Sequence, residues 1–340
     1  ILSILLAGNT LWAQFYEPKK VTEKFYPDPD ININIPSLQK GRGFTSYNEM
    51  MHFLNNLVAA HPSVLNMKMA GKTQKGKEIP LIKISKGNDE DKIRIIYIAR
   101  VHGDEPAGTE GMMYFVQQMA GNSQLQYLLD KISIYILPML NIDGAETNTR
   151  RTANGIDMNR DQSKLETPEA QVLHHVINEV EPHVSVDYHE YQPVRSDFGK
   201  LSPDVLGTPW DVMFLFSGNP NVPQVIRTAV DSMFLPEAKK TLDANGLTHH
   251  NYYSSSNSYD NIRINVGGSS PRSTSNAIAL KNTISMLMET RGIQLGSTAL
   301  KRRTWSTYLL AETFAKTAYE NDDEIRAILK AGLEDRSDVV

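Results

Sequence analysis

Ile93-Arg94-Ile95-Ile96-Tyr97-Ile98 runs without a break into Ala99-Arg100-Val101-His102-Gly103-Asp104-Glu105. The first six residues are apolar but for Arg94 and rich in β-branched side chains. The run is too short for an ordinary helix and too continuous for a strand with one wet face. A strand of that kind is buried on both sides, as in a largely parallel sheet packed between helices. Sheets of this type hold ligands outside the carboxyl ends of their strands. A His, an Asp and a Glu at this strand end are therefore candidates for chemistry.

Similar runs lie on either side. Upstream is Ile79–Ile84 (IPLIKI), and downstream are Ile132–Leu140 (ISIYILPML), Val184–Tyr188 and Ile284–Met288. Helical patterns alternate with them. Ser46-x-x-Glu49 is a capping box ahead of apolar Tyr47, Met50, Met51, Leu54, Leu57 and Val58, and His61-Pro62 ends that helix. Gly108 to Met119 is helical. Thr167-Pro168-Glu169 opens another helix with a cap, a first-position proline and an early acid. Further helices are expected near Phe234 to Asn245 and from Ser297 to Glu320. The fold class is α/β: a mixed, mostly parallel twisted sheet with helices on both faces.

The remaining segments divide the chain. Residues 1–13 begin with an apolar run, Ile1–Leu6, and reach a small residue at Ala13, the pattern of a secretory signal peptide remnant. This implies a secreted or periplasmic bacterial protein. Residues 14–43 are rich in Pro, Asp and Lys and read as an extended arm. Residues 44–320 form the main domain, and 321–340 a helical extension expected to continue in the natural chain. The stretch from 190 to 276 is rich in Pro, Gly, Ser, Asn and Tyr and reads mainly as loop.

Composition excludes several function classes. The 340 residues carry a formal net charge of -4, which gives no reason to expect nucleic acid as a partner. With no cysteine, thiolate metal sites and cysteine nucleophiles are ruled out, so a transition metal would need His and carboxylate ligands. No later stretch of the sequence reaches the ~18 apolar residues that a spanning helix needs.

Three strand ends carry polar clusters: His102 to Glu105, His189-Glu190 after VSVDY, and Glu289-Thr290-Arg291-Gly292 after ISMLM. A catalytic zinc site uses three protein ligands, often two His and one Glu, and a nearby carboxylate can take a proton from its water. Each cluster alone is weak, because a lone His beside a Glu is more often a hydrogen-bonded loop pair.

The stretch from Asn141 to Arg160 joins them. It contains Asn141-Ile142-Asp143-Gly144, then Arg150-Arg151, then Gly155-Ile156-Asp157-Met158-Asn159-Arg160. With His102-x-x-Glu105 before it, and His189 and Glu289 after it, the order of elements resembles the carboxypeptidase A-like zinc metallopeptidases. The resemblance covers about residues 45 to 318. It includes the Gly71-Lys72-Thr73-Gln74-Lys75-Gly76-Lys77-Glu78 turn. It implies one zinc per chain held by His102, Glu105 and His189. Glu289 would be general base to a zinc-activated water and Arg150 would stabilise the oxyanion, with Arg151 the alternative. Asn159 and Arg160 would anchor the substrate's carboxylate. It also implies a cis peptide at Glu190–Tyr191.

Two departures bear on substrate. Digestive members have Arg where Asp104 stands, and the His-Gly-Asp-Glu form looks more like murein-peptide peptidases and deacylase relatives. The mobile Tyr of the family has no clear counterpart. Tyr259 is a candidate, and Tyr252 and Tyr253 are placed at the entrance. Arg272 is placed in the specificity pocket, favouring an acidic side chain. The expected function is removal of a C-terminal residue from a peptide. The alternatives are hydrolysis of muropeptides or N-acyl amino acids, or a non-catalytic binding protein. The partner is a peptide or muropeptide with a free carboxylate.

Overall fold

The computed structural model describes residues 16–198, 207–258 and 261–337. The apolar run assigned to a signal peptide and Tyr259 lie outside them.

The elements in order are α1 (Lys19–Phe25), α2 (Pro36–Lys40), α3 (Tyr47–Ala60), β1 (Leu65–Lys72), β2 (Glu78–Ile84), β3 (Ile93–Ala99), α4 (Ala107–Gly121), β4 (Ile132–Leu137), α5 (Ile142–Glu146), α6 (Pro168–Val180) and β5 (Val184–Tyr191). There follow β6 (Val212–Phe216), α7 (Gln224–Ala229), a π-turn running into α8 (Leu235–Ala244), β7 (His249–Asn251), β8 (Tyr253–Ser258), β9 (Asn261–Val266), α9 (Thr274–Ala279), β10 (Ile284–Arg291), α10 (Leu300–Glu320) and α11 (Asp322–Ser337).

Eight strands form one sheet in the order β1-β2-β4-β3-β5-β10-β6-β7. The central four, β4, β3, β5 and β10, run parallel. β2 runs antiparallel beside β4 with β1 antiparallel to β2 at that edge, and on the other side β6 runs antiparallel to β10 with β7 parallel to β6. β8 and β9 pair as a separate hairpin. Every residue of β5 is buried, so this central strand is covered on both faces. On one side, Tyr97 of β3 packs edge-on against Phe115 of α4 and donates its hydroxyl to Ala311 O of α10 at 2.6 Å. Elsewhere α6 packs on β1 and α9 on β5 and β10.

Local signals act as the residues dictate. Ser46 Oγ accepts from Glu49 N while Glu49 accepts from Ser46 N, and α3 stops at His61 before the proline. Thr167 Oγ1 accepts from Ala170 N with Pro168 at the first position of α6. β4 ends at Leu137 rather than Leu140, because Pro138 has no N–H for the ladder.

Three expectations need correction. The arm is not extended throughout, since it contains α1 and α2. Tyr26 at the end of α1 donates to Pro209 O at 2.9 Å, its ring lies 3.8 Å from the Arg291 guanidinium, and Glu17 pairs with Arg291. The stretch after 190 holds strands β6 to β9, not loop alone. Finally, no peptide among the described residues is cis, so Glu190–Tyr191 is trans. There β5 keeps its ladder with β10, Thr290 opposite Glu190 and Arg291 opposite Tyr191, and the extended backbone runs straight through.

Candidate active site

The carboxyl ends of β3, β5 and β10 are neighbours, and each delivers a side chain to one place. After Ala99 the chain leaves β3 through Arg100, whose φ of 59° turns it sharply. Leu140 N and Asn141 N donate to Ala99 O and Arg100 O, tying the next loop alongside. Asn141 Oδ1 caps α5 by accepting from Gly144 N. Asp143 is buried and accepts from Thr73 Oγ1 and Lys75 N, which joins the Gly71–Glu78 turn to this loop. Gly103 lies so close to it that a Cβ would fall 2.1 Å from Gly144 C.

His102, Glu105 and His189 meet in this scaffold, all buried. His102 Nδ1 is 2.7 Å from Glu105 Oε1, His189 Nδ1 is 2.8 Å from Glu105 Oε2, and the two Nδ1 atoms are 3.1 Å apart. The outward nitrogens face carboxylates: His102 Nε2 lies 3.1 Å from Asp157 Oδ1, and His189 Nε2 2.9 Å from Asp187 Oδ2. An outer carboxylate on each His fixes the ring and raises its basicity as a metal ligand. Two imidazoles and a carboxylate, donor atoms inward and far sides held, fit a zinc ion by donor chemistry. The three residues' donor atoms all lie within 4.8 Å of one another.

Glu289, opposite His189 in the β5–β10 ladder, lines the same cleft. Its Oε2 is buried and has no hydrogen-bond partner among the described residues. Burial, with Glu105 nearby, pushes its carboxyl up to about 7 against the pull of His189. Glu105 is held well below the usual carboxylate range: burial opposes its charge, but His102 and His189 outweigh it. Arg150 Nη2 pairs with Asp157 Oδ2 at 3.0 Å, and its Nη1 lies 3.5 Å from Glu105 Oε1. Arg151 turns away, exposed, and donates to Gly155 O. Asn159 is buried in the cleft wall, and its Oδ1 accepts from Thr274 N at 2.8 Å. Arg160 is exposed on the wall of the cleft. Arg272, expected in the pocket, is instead exposed outside the lining. Its Nε donates to Arg160 O at 3.0 Å.

The cleft measures about 360 Å³. A larger cavity, about 730 Å³, opens among Arg94, His183 and α11 at the other end of the sheet. It holds none of these residues, so the chemistry locates the site here and cavity size does not.

A sequence profile described as "Zinc carboxypeptidase" matches residues 50–321. The chain belongs to the zinc carboxypeptidase family. It is 27% identical over 310 residues to "Probable carboxypeptidase 2" of Arthroderma benhamiae, an alignment covering 88% of this chain. The chain spans only 58% of that relative's length. Among solved structures it resembles a metallo-carboxypeptidase from Burkholderia cenocepacia, with a TM-score of 0.63 at 16% identity, covering 81% of this chain and 69% of that one. A Pseudomonas aeruginosa metallo-carboxypeptidase, solved with (2-guanidinoethylmercapto)succinic acid, gives 0.60 at 16% identity, covering 83% and 70%. At these identities the structures establish the fold.

Sequence reasoning missed several residues in this zinc carboxypeptidase cleft. Asp187 could have been found, because residues two apart on a strand share a face and Asp187-x-His189 places a carboxylate beside the His. Arg195, Asp197 and Ser254 also line the cleft, beside Tyr252. Their approach is set by long-range packing that no local pattern carries. Glu190, next to His189, accepts from Ala107 N and Arg303 Nη1 and so pins the end of β5. Among the described residues, no helix is long and apolar enough to cross a membrane.

Proposed function

We propose that this chain is a zinc-dependent carboxypeptidase that hydrolyses the C-terminal peptide bond of a peptide. The observation that carries this reading is the convergence of two imidazole Nδ1 atoms and the Glu105 carboxylate in one cleft with a buried oxygen of Glu289 that has no partner among the described residues. His102, Glu105 and His189 would hold the ion. Zinc, when bound, supplies Lewis acidity toward a water or a carbonyl oxygen. Glu289 takes a proton from the attacking water and later gives it to the leaving amine. Its burial suits it to both, since a base raised toward neutrality also serves as an acid. Arg150, anchored by Asp157, sets a cation beside the carbonyl where an oxyanion develops. Arg160 offers a guanidinium, and Asn159 an amide donor, to the terminal carboxylate. The apolar run Ile1–Leu6 with Ala13 after it favours export, and we place the enzyme in a secreted or periplasmic setting.

The test is zinc stoichiometry together with hydrolysis of a mixed L-peptide library, on wild type and on Glu289→Gln. We expect one zinc per chain in both proteins. Single-residue trimming should fall by about 10²–10⁴ in the variant, the usual contribution of a positioned acid–base group. Muropeptides and N-acyl amino acids go into the same panel. Turnover of those alone, with L-peptides untouched, would replace the peptidase reading by amide hydrolysis on the same site. No zinc in either protein would overturn the ligand assignment.

A further inference from the structure

The cleft contains a guanidinium that the proposed chemistry does not use. Arg195 follows β5 by four residues and is only 8% exposed, yet it lines the cleft with Glu289, Arg150 and Arg160. Its Nε and Nη2 donate to the two oxygens of Asp197 at 2.7 and 2.8 Å, and Nη2 also donates to Tyr253 O at 3.1 Å. The Phe198 and Tyr252 rings lie 4.8 and 5.5 Å from the guanidinium carbon. The side chain is therefore held rigidly by two ion-pair contacts, a carbonyl and two rings. Its remaining nitrogen, Nη1, is buried and meets no acceptor among the described residues. Arg100, Arg291 and Arg303 also carry a buried N–H with no partner among the described residues, but none of them lines the cleft.

A held donor that meets no acceptor among the described residues, on a side chain that lines the cleft, is open to pairing with a substrate. We propose that Arg195 Nη1 recognises the side chain of the substrate's C-terminal residue, selecting one that ends in a carboxylate or carboxamide. This rests on the carboxypeptidase reading above. Asp197 already neutralises the guanidinium, so selection works through the N–H direction more than through net charge, and Gln is accepted as well as Glu. A Lys side chain brings a cation and no acceptor. A Leu side chain leaves Nη1 unmet, and sites built to hydrogen-bond a group reject analogues that lack it strongly. Arg195 thus takes the place in the pocket that Arg272 was expected to fill.

The experiment compares kcat/KM for otherwise identical peptides ending in Glu, Gln, Lys and Leu. It uses wild type, Arg195→Met, and the double variant Arg195→Met/Asp197→Asn, which avoids stranding the Asp197 charge. The expected result is a Glu-to-Leu and Gln-to-Leu preference of at least about tenfold in wild type that collapses toward one in both variants. Equal hydrolysis of all four peptides by wild type would overturn the proposal, as would a preference that survives both substitutions. Binding of N-acetyl-glutamate, N-acetyl-glutamine and N-acetyl-leucine to Glu289→Gln, measured by calorimetry, reads the same preference without turnover. If wild type trims no peptide but these ligands still bind with the expected order, the carboxypeptidase reading falls and the role of Arg195 stands.

Discussion

At the residue scale, Glu289 is where folding and chemistry pull against each other. Its carboxyl is pushed up to about 7 first by burial and then by Glu105, with His189, His102 and Arg150 pulling the other way. A carboxyl raised above its ordinary value means that the fold binds the proton more tightly than the unfolded chain does. Its contribution to stability is then fully present below about pH 4.5 and is lost as pH rises through about 7. The metal-free wild type should therefore lose stability relative to Glu289→Gln across roughly pH 5 to 8, read from thermal unfolding in chelator. Parallel curves for the two proteins would mean that the carboxylate is solvated. A bound divalent cation inverts this logic by favouring the ionised form, leaving Glu289 free to act as a base at neutral pH.

At the element scale, the site depends on how closely two loops approach. A Cβ at Gly103 would stand 2.1 Å from Gly144 C, 2.4 Å from Ala145 N and 2.5 Å from Thr149 O, all backbone atoms that cannot rotate aside. Gly103→Ala should cost at least the roughly 1–3 kcal/mol of an overpacked site and weaken zinc binding, measured by denaturant titration and metal competition. Gly121→Ala, with nothing within 4 Å, is the control. Normal zinc affinity in Gly103→Ala would show that the two loops move independently. The same scale explains what could be read from sequence. β3 announces itself as a nearly continuous apolar run because both its faces are covered, β5 and β10 show shorter apolar stretches broken by Ser185, Asp187 and Ser285, and α3 and α6 carry their own caps. β1, Leu-Asn-Met-Lys-Met-Ala-Gly-Lys, lies at the sheet edge with only Leu65 buried and the rest exposed or half-exposed, so its composition blurs into loop. β6 is apolar but short, set in a Pro- and Gly-rich stretch. The seven residues of α1 have little helical signal and are held by Arg291, far away in sequence. That His102, Glu105, His189 and Glu289 come together at one place was legible from their strand ends taken with the family resemblance, since each cluster alone is weak. Arg195 was not, since what distinguishes it is an unmet N–H that only tertiary packing creates.

At the scale of the whole molecule, the proposed ion lies among the ends of β3, β5 and β10, three adjacent strands at the middle of the sheet. Ligand that binds only the folded state adds to its stability by mass action, about 2.7 kcal/mol at a hundredfold excess over Kd. Chelation should lower the unfolding temperature of wild type, and zinc should restore it in a concentration-dependent way. His189→Ala should abolish the zinc response, while Glu289→Gln should keep it. A wild-type transition indifferent to chelator would mean that these groups hold no ion in the folded chain. The β5–β10 ladder has one further consequence, and it concerns length. Glu289 lies directly opposite His189 in a register unbroken from Ile284 against Val184 to Arg291 against Tyr191. Adding or deleting one residue within either strand would send every later side chain to the opposite face and part the base from the ligand. Insertions and deletions in relatives of this chain should therefore be excluded from 184–191 and 284–291 and collect in the long excursion between them, which can grow or shrink while its two anchors stay in step.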